Sequence, residues 1–299
     1  MKASLLSRIR STDASSHAHA YTRFLVGGQV CGQVQSSLLS LLLGCVGPHG
    51  PVFERADNGL SLVQATHPTF EMRSSAMAAA TSQLIDAALI KKTHGDLYPI
   101  APAWNAPALC LIDRNAAPYF GVSSVGVHLH CYVRSPGDGG LQLWVAQRAA
   151  DKSTHPGLWD PTVAGGQPSG LSLKQNVVKE AGEEAGLPPE LAERATSTGM
   201  LSQMTAKADG SCLKQSLYFI WELEVPADWT PTPADGEVQR FERWDMARLE
   251  AEAREGSRFR PAMVALMADF LLRHGLLTPD AEPEYEELLL ALHRPRLVL

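Results

Sequence analysis

Apolar and polar positions alternate most clearly in the middle of the chain. Gly126-Val127-His128-Leu129-His130-Cys131-Tyr132-Val133 reads as one strand and Leu141-Gln142-Leu143-Trp144-Val145-Ala146-Gln147-Arg148 as the next, joined by a hairpin turn through Pro136-Gly137-Asp138-Gly139-Gly140. A short strand ends at Gly165, and a helix follows that stops at Gly186, before Pro188-Pro189. Leu217 to Val225 predicts a further strand. Earlier, Phe24-Leu25-Val26 and Val30 predict strand and Leu38 to Leu43 a short helix. Arg73 to Lys91 predicts a longer helix, because Ala76 to Ala80, Leu84, Ile85 and Leu89 combine strong helix formers with an apolar face. Residues 44–60 read as loop around the turn cluster Gly47-Pro48-His49-Gly50-Pro51. Pro261 to His274 and Tyr285 to His293 read as helices, and residues 1–16, polar and Ser-rich, as loosely ordered.

A chain of 299 residues exceeds the usual single domain. The pattern divides it into a flexible N-terminus (1–20), an α+β region (21–122), a second domain (123–275) and a C-terminal helical segment packed on it (276–299). With 45% apolar and 19% charged residues the composition is globular, and a net charge of −6 supplies no electrostatic footprint for nucleic acid. The most apolar early stretch, Leu38 to Val46, is about half the length of a membrane span, so no membrane role is expected. Cys31, Cys45, Cys110, Cys131 and Cys212 are odd in number and show no CxxC spacing, which fits reduced thiols in a cytoplasmic setting rather than disulfides or structural zinc. The start of the chain reads as a mobile or helical terminus rather than a targeting signal.

Candidate chemistry concentrates in Lys179-Glu180-Ala181-Gly182-Glu183-Glu184-Ala185-Gly186-Leu187. Glu180, Glu183 and Glu184 stand at i, i+3 and i+4, on one helical face, where three like charges repel. Acidic helix faces are usually just solvated. Here the preceding Gly165-Gly166 pair and the Gly186 stop favour a hard divalent cation, Mg2+ or with Mn2+ as substitute.

This unit resembles the Nudix box. Glu180, Glu183, Glu184, Gly186 and Leu187 match, Ala181 takes the apolar position, and the first glycine falls at Gly165; Lys179 replaces the family's Arg and Leu171 its first Glu. The resemblance implies an α/β fold, a Nudix α/β/α sandwich with a mixed sheet, preceded by a smaller α+β N-terminal domain. It implies metal ligation by Glu180 and Glu184, with Glu183 adjacent and the Gly165 carbonyl as a further ligand, and a general base at Glu183 or Glu237. Leu171 is expected to be compensated by apolar packing. Lys179 keeps positive charge beside Glu180 without the bidentate fork of arginine.

Segments outside the box, among them Asp113-Arg114, Tyr119-Phe120-Gly121, Asp235-Gly236-Glu237-Val238 and Phe270-Leu271-Leu272-Arg273-His274-Gly275, are similar to Nudix proteins related to those fused to thiamine pyrophosphokinase. That likeness implies hydrolysis of oxidised or damaged thiamine diphosphate analogues to the monophosphate plus phosphate. Arg114, His128 and Arg148 are the substrate-binding candidates, weighed against plain surface charges and a packed histidine. His128 and His130 share a strand face but lack a third zinc ligand; Trp144, Trp159 and Trp221 read as core residues before stacking platforms. The alternatives are a nucleoside diphosphate derivative as substrate, a silent module binding a ligand or protein, and an isomerase relying on Cys131. For residues 1–122, substrate capping, homodimer formation and structural support all stay open.

Overall fold

Two main sheets organise the chain in a computed structural model, which describes residues 4–14, 19–57, 59–135, 140–152, 154–207 and 210–293. After helix α1 (Leu5–Ser11) come β1 (Tyr21–Val26), β2 (Gln29–Gln35), α2 (Leu39–Leu43), the short pair β3 (Val46–Gly47) and β4 (Gly50–Pro51), β5 (Phe53–Ala56), β6 (Gly59–Leu62), α3 (Phe70–Asp86), and the antiparallel pair β7 (Leu97–Ile100) and β8 (Cys110–Asp113). The first sheet runs β2-β1-β6-β5, with β1 and β6 parallel. Phe24, Phe53 and Phe120 meet in its core with Met77 and Leu84 of α3.

Residues 44–60, expected as loop, thus hold three strands and the start of β6. Their main order comes from β6 pairing with distant β1 (Arg23 opposite Gly59), which no local pattern reveals. Helix α3 is displaced from the expected Arg73–Lys91. It starts earlier because the Thr69 side chain accepts from the Met72 N–H (3.2 Å), and beyond it Ala88 turns left-handed at φ 58°.

The second unit comprises β9 (Ser124–Arg134), β10 (Leu141–Arg148), β11 (Trp159–Pro161), β12 (Val163–Gly166), α4 (Leu173–Ala185), α5 (Pro189–Ala192), β13 (Thr196–Ala206), β14 (Leu213–Glu224), β15 (Val238–Asp245), α6 (Met246–Arg254), α7 (Met263–Arg273) and α8 (Tyr285–Leu292). Its sheet follows β11-β10-β9-β14-β13, with β12 on β9 and β15 on β10; β9 and β14 run parallel and the other pairs antiparallel. Period two sorts the side chains of β9. Val127, Leu129, Cys131 and Val133 pack with Val177, Ala181 and Ala185 of α4, whereas the His130 ring meets Phe270 of α7 on the opposite face. Helices α6, α7 and α8 cover that second face around Trp244, Leu266 and Leu288. The result is the expected α/β/α sandwich on a mixed sheet, behind a smaller α+β unit.

Residues 5–11 correct the expectation of a flexible N-terminus. Ser4 caps α1 by accepting from the Ser7 N–H (2.9 Å), and Leu5 and Ile9 are buried in the α7/α8 core. Arg8 donates to the Glu252 and Ala253 carbonyls (2.9 and 2.8 Å). A seven-residue helix is marginal alone, and tertiary packing holds this one. Strand β13 and helix α6 escaped the sequence reading. Much of β13 is exposed and polar, so its order derives from the long ladder with β14. The turn expected at 136–139 lies outside the described residues. No helix among the described residues is long and apolar enough to cross a membrane.

The two units touch extensively. The 3-10 turn Ala117–Phe120 ends at Gly121 (φ 58°), and a Cβ there would lie 2.6 Å from the Gln33 carbonyl oxygen, so glycine lets the turn rest on β2. Lys207 donates to the Tyr119 hydroxyl (3.0 Å), and Trp104 packs on Phe219 at 4.8 Å between ring centroids.

Candidate active site

The loop between β12 and α4 is held by its own polar side chains. Buried Gln167 donates through Nε2 to the Pro168 and Leu171 carbonyls (3.3 and 2.7 Å), and Asn176 Nδ2 donates to the Gly166 carbonyl (2.9 Å). Ser172 and Gln175 form a reciprocal capping box that starts α4. Gly186 closes the helix at φ 63°, its N–H bonded to the Gly182 carbonyl at 3.1 Å. Leu171 is 37% exposed, so apolar packing does not replace the missing Glu; the Gln167 amide supports the loop instead.

The three glutamates do not share one environment. Glu184 is buried and accepts the Ala164 N–H (2.9 Å). Glu180 lies against the glycine loop so tightly that a Cβ at Gly165 would sit 2.6 Å from its Oε2. Glu183 turns outward, half exposed, where Lys179 donates to it at 2.5 Å and to Glu180 at 3.3 Å. Among the described residues no three His, Cys, Asp or Glu side chains are gathered closely enough to hold an ion by themselves. Glu183 pairs with Lys179, whereas Glu180 and Glu184 are the two set against the glycine loop.

Burial pushes the Glu184 carboxyl up to about 8, with repulsion from Glu180, Asp160 and Asp235 added and the Ala164 N–H opposing. Burial likewise raises Glu180, where Lys179 opposes and Glu183 and Glu237 add repulsion. Two carboxylates beside a glycine backbone, held back from ionising chiefly by burial, fit a hard divalent cation. Glu180, Glu184 and the Gly165 carbonyl are the groups that would hold it.

Glu237 stands within electrostatic reach of Glu180, half exposed, and pairs with Lys152 at 2.8 Å. The Asp235 carboxylate accepts the Glu237 N–H (2.8 Å) and fixes this loop. Arg148 is committed elsewhere: it pairs with buried Asp160 (2.9 Å) and donates to the Thr154 carbonyl. Arg260 takes the other oxygen of Asp160 at 2.8 Å. Arg114 pairs with Asp96 (3.2 Å) and reaches toward Gly166, where a Cβ would lie 3.9 Å from its Nη1 and 3.4 Å from the Tyr98 hydroxyl. His128 is almost wholly buried, edge-on to Tyr218 at 4.9 Å, and burial with Arg260 nearby holds it neutral, so it offers no imidazolium to a phosphate.

Lys214, Arg260, Tyr218, Tyr98 and Asp160 were not singled out from the sequence. Lys214 left one local signal, a cation on a strand face otherwise occupied by Tyr218 and Ile220; the others became visible only through the fold. His130, driven to about 3 chiefly by burial, packs against Phe270. Cys131, pushed up to about 12 by burial, offers no thiolate for isomerase chemistry. Trp144 and Trp159 are buried, Trp159 against Trp244 at 5.0 Å, and Trp221 lies under the Lys174 ammonium.

Residues 127–266 match the family model described as NUDIX domain, and residues 3–124 match a domain of unknown function, DUF4743. Nudix hydrolase 24, chloroplastic, of Arabidopsis thaliana is 40% identical over 73% of this chain and 58% of its own length. Nudix hydrolase 20, chloroplastic, of the same plant is 38% identical over 71% and 55%. The chain therefore spans just over half the length of the curated relatives it matches. A Nudix hydrolase structure from M. smegmatis aligns over 52% of this chain and 87% of its own at 18% identity, with a TM-score of 0.38, too slight a likeness to bear on function. The glycine loop, its acid-bearing helix and the sandwich around them are those of a NUDIX domain, and this chain carries that domain behind a DUF4743 domain.

Proposed function

We propose that this protein hydrolyses a diphosphate with the help of Mg2+ (or Mn2+) held by Glu180, Glu184 and the Gly165 carbonyl. The observation that carries this reading is the burial of Glu180 and Glu184 against the Gly165 loop, where Glu184 meets the Ala164 N–H and Glu180 meets a Lys179 shared with Glu183. When bound, the cation neutralises phosphate charge and activates water. The rest of the work falls to the chain. Lys179 orients Glu180, and Glu237, steadied by Lys152 and close in charge to Glu180, accepts the proton of the attacking water. Glu183, held by Lys179, serves the charge balance of the helix rather than proton transfer.

For the substrate we propose an oxidised or damaged thiamine diphosphate, released as monophosphate plus phosphate. The support is the likeness, across both units, to the thiamine-pyrophosphokinase-related branch. The five cysteines, all buried and none in a disulfide among the described residues, support a reducing compartment such as the cytoplasm. The test is phosphate release from a diphosphate panel with Mg2+, for wild type and Glu184→Gln. Direct release from oxothiamine diphosphate, absent in the variant, is expected. Turnover of ADP-ribose, seen once a phosphatase is added, would move the substrate to nucleoside diphosphate derivatives. No turnover of any diphosphate would overturn the hydrolase reading, and an equally active Glu184→Gln would overturn the metal assignment.

A further inference from the structure

Beside the metal loop lies a patch of sheet that has no side chains. Gly166 of β12 pairs with Gly126 of β9, and both are glycines. Tyr98 and Arg114 of the N-terminal unit reach over Gly166 from one side. From β14, Tyr218 stands opposite Gly126, and Lys214 belongs to the same strand face as Tyr218 by period two. Arg260 lies close enough to act on Lys214, His128 and Tyr218 alike.

The charges around this patch do not balance. Asp160 is shared by Arg148 and Arg260, which leaves one positive charge over. Asp96 answers Arg114. The Lys214 ammonium makes no hydrogen bond or ion pair with any described residue. Its side chain is exposed, yet desolvation by the surrounding protein, followed by repulsion from Arg260 and Arg114, brings its ammonium down to about 8. Arg148, Arg260, Arg114 and Lys214 thus outnumber the carboxylates of Asp160 and Asp96, a surplus that costs energy in the empty protein and that a bound anion offsets. A diphosphate esterified at both ends carries one charge per phosphate; one ending in a free phosphate brings a further charge and further acceptor oxygens to match.

Building on the hydrolase reading, we infer that Arg114 and Tyr98 of the DUF4743 domain close, with Lys214 and Arg260, a pocket for the terminal phosphate of a diphosphate monoester. The N-terminal domain then selects substrates whose diphosphate ends in a free phosphate over those esterified at both ends.

The test measures binding without turnover. Methylenediphosphonate, whose ends are free, and its P,P′-dimethyl ester, whose ends are capped, are titrated calorimetrically at fixed free Mg2+. Wild type is expected to prefer the free form by about tenfold or more, the worth of one charge-assisted hydrogen bond. Arg114→Ala and Lys214→Met should each cut affinity for the free form by about tenfold while changing that for the ester by less than about threefold. Lys214→Arg, which keeps the charge, should retain the preference. Equal affinity of wild type for the two ligands would overturn the inference. So would variants that weaken both ligands by one factor, or the absence of saturable methylenediphosphonate binding. Because neither probe is hydrolysed, failure of the hydrolase reading shows elsewhere, as retained selectivity in a protein that turns over no diphosphate.

Discussion

Replacing Gly165 by alanine should separate the metal site from the fold. The new Cβ would lie 2.6 Å from Glu180 Oε2 and closer still to its Cγ. Ordinary carbon contacts lie near 3.5–4.0 Å, so the Glu180 side chain must withdraw by more than about 1 Å. The cost to folding is small, since the displaced group is a flexible side chain rather than backbone. An off-rotamer glutamate costs about 0.5–1.5 kcal/mol. Loss of glycine's freedom in the unfolded chain offsets about 0.4–1 kcal/mol of that, as Gly165 does not adopt positive φ. Net stability should change by less than about 1 kcal/mol, a few degrees in Tm at most. Metal binding should change far more, by about 10- to 100-fold, the usual consequence of disturbing a ligand's support. The assay pairs thermal melts with a Mg2+ titration of phosphate release. Gly182→Ala in the same unit is the control, because its Cβ would meet only the Leu187 carbonyl oxygen at 3.8 Å. It should stabilise α4 by up to about 1 kcal/mol with Mg2+ dependence unchanged. Wild-type Mg2+ dependence in Gly165→Ala would refute the placement of Glu180 at the metal, and global unfolding would refute the steric estimate.

Three further expectations follow from the same geometry. Glu237→Gln should lower kcat by about 10²- to 10⁴-fold with the Mg2+ requirement intact, measured by steady-state kinetics; an unchanged kcat would remove Glu237 as base. Lys214 titrates near 8 among Arg260, Arg114, His128 and Cys212, so kcat/KM should fall as pH rises through that value and the charge is lost. Its folded value lies below the ordinary 10.5, so the stability cost of its charge is present below 8 and disappears between 8 and 10.5. Lys214→Arg should abolish the inflection in kcat/KM, and its persistence would assign it to another group. Arg254 is buried between Glu250 (2.8 Å) and Glu282, so Arg254→Leu strands a buried carboxylate and should cost about 3–5 kcal/mol in denaturant titrations, with kcat unchanged. A loss below about 1 kcal/mol would mean that the pair is solvated.

Local pattern determined much of this protein. Alternation marked β9, β10 and β14, and the run from Gly165 to Gly186 specified loop, helix and helix stop, because each depends on near neighbours: a capping box, i+4 spacing and one left-handed glycine. The same run announced two of the carboxylates now buried against the glycine loop. Only the tertiary structure decided how the three glutamates divide. Glu184 bonds to Ala164, Glu180 presses on Gly165, and Glu183 swings to Lys179, although all three share one helical face. It also decided that Leu5 and Ile9 of the first helix are core residues, and that β6 joins β1 across more than thirty residues. The grouping of Tyr98, Arg114, Lys214 and Arg260 draws on positions up to 162 residues apart and belongs wholly to that second category. Spacing along a chain reports which groups share a face. Burial and charge, which give those groups their chemistry, depend on what other parts of the chain fold against them.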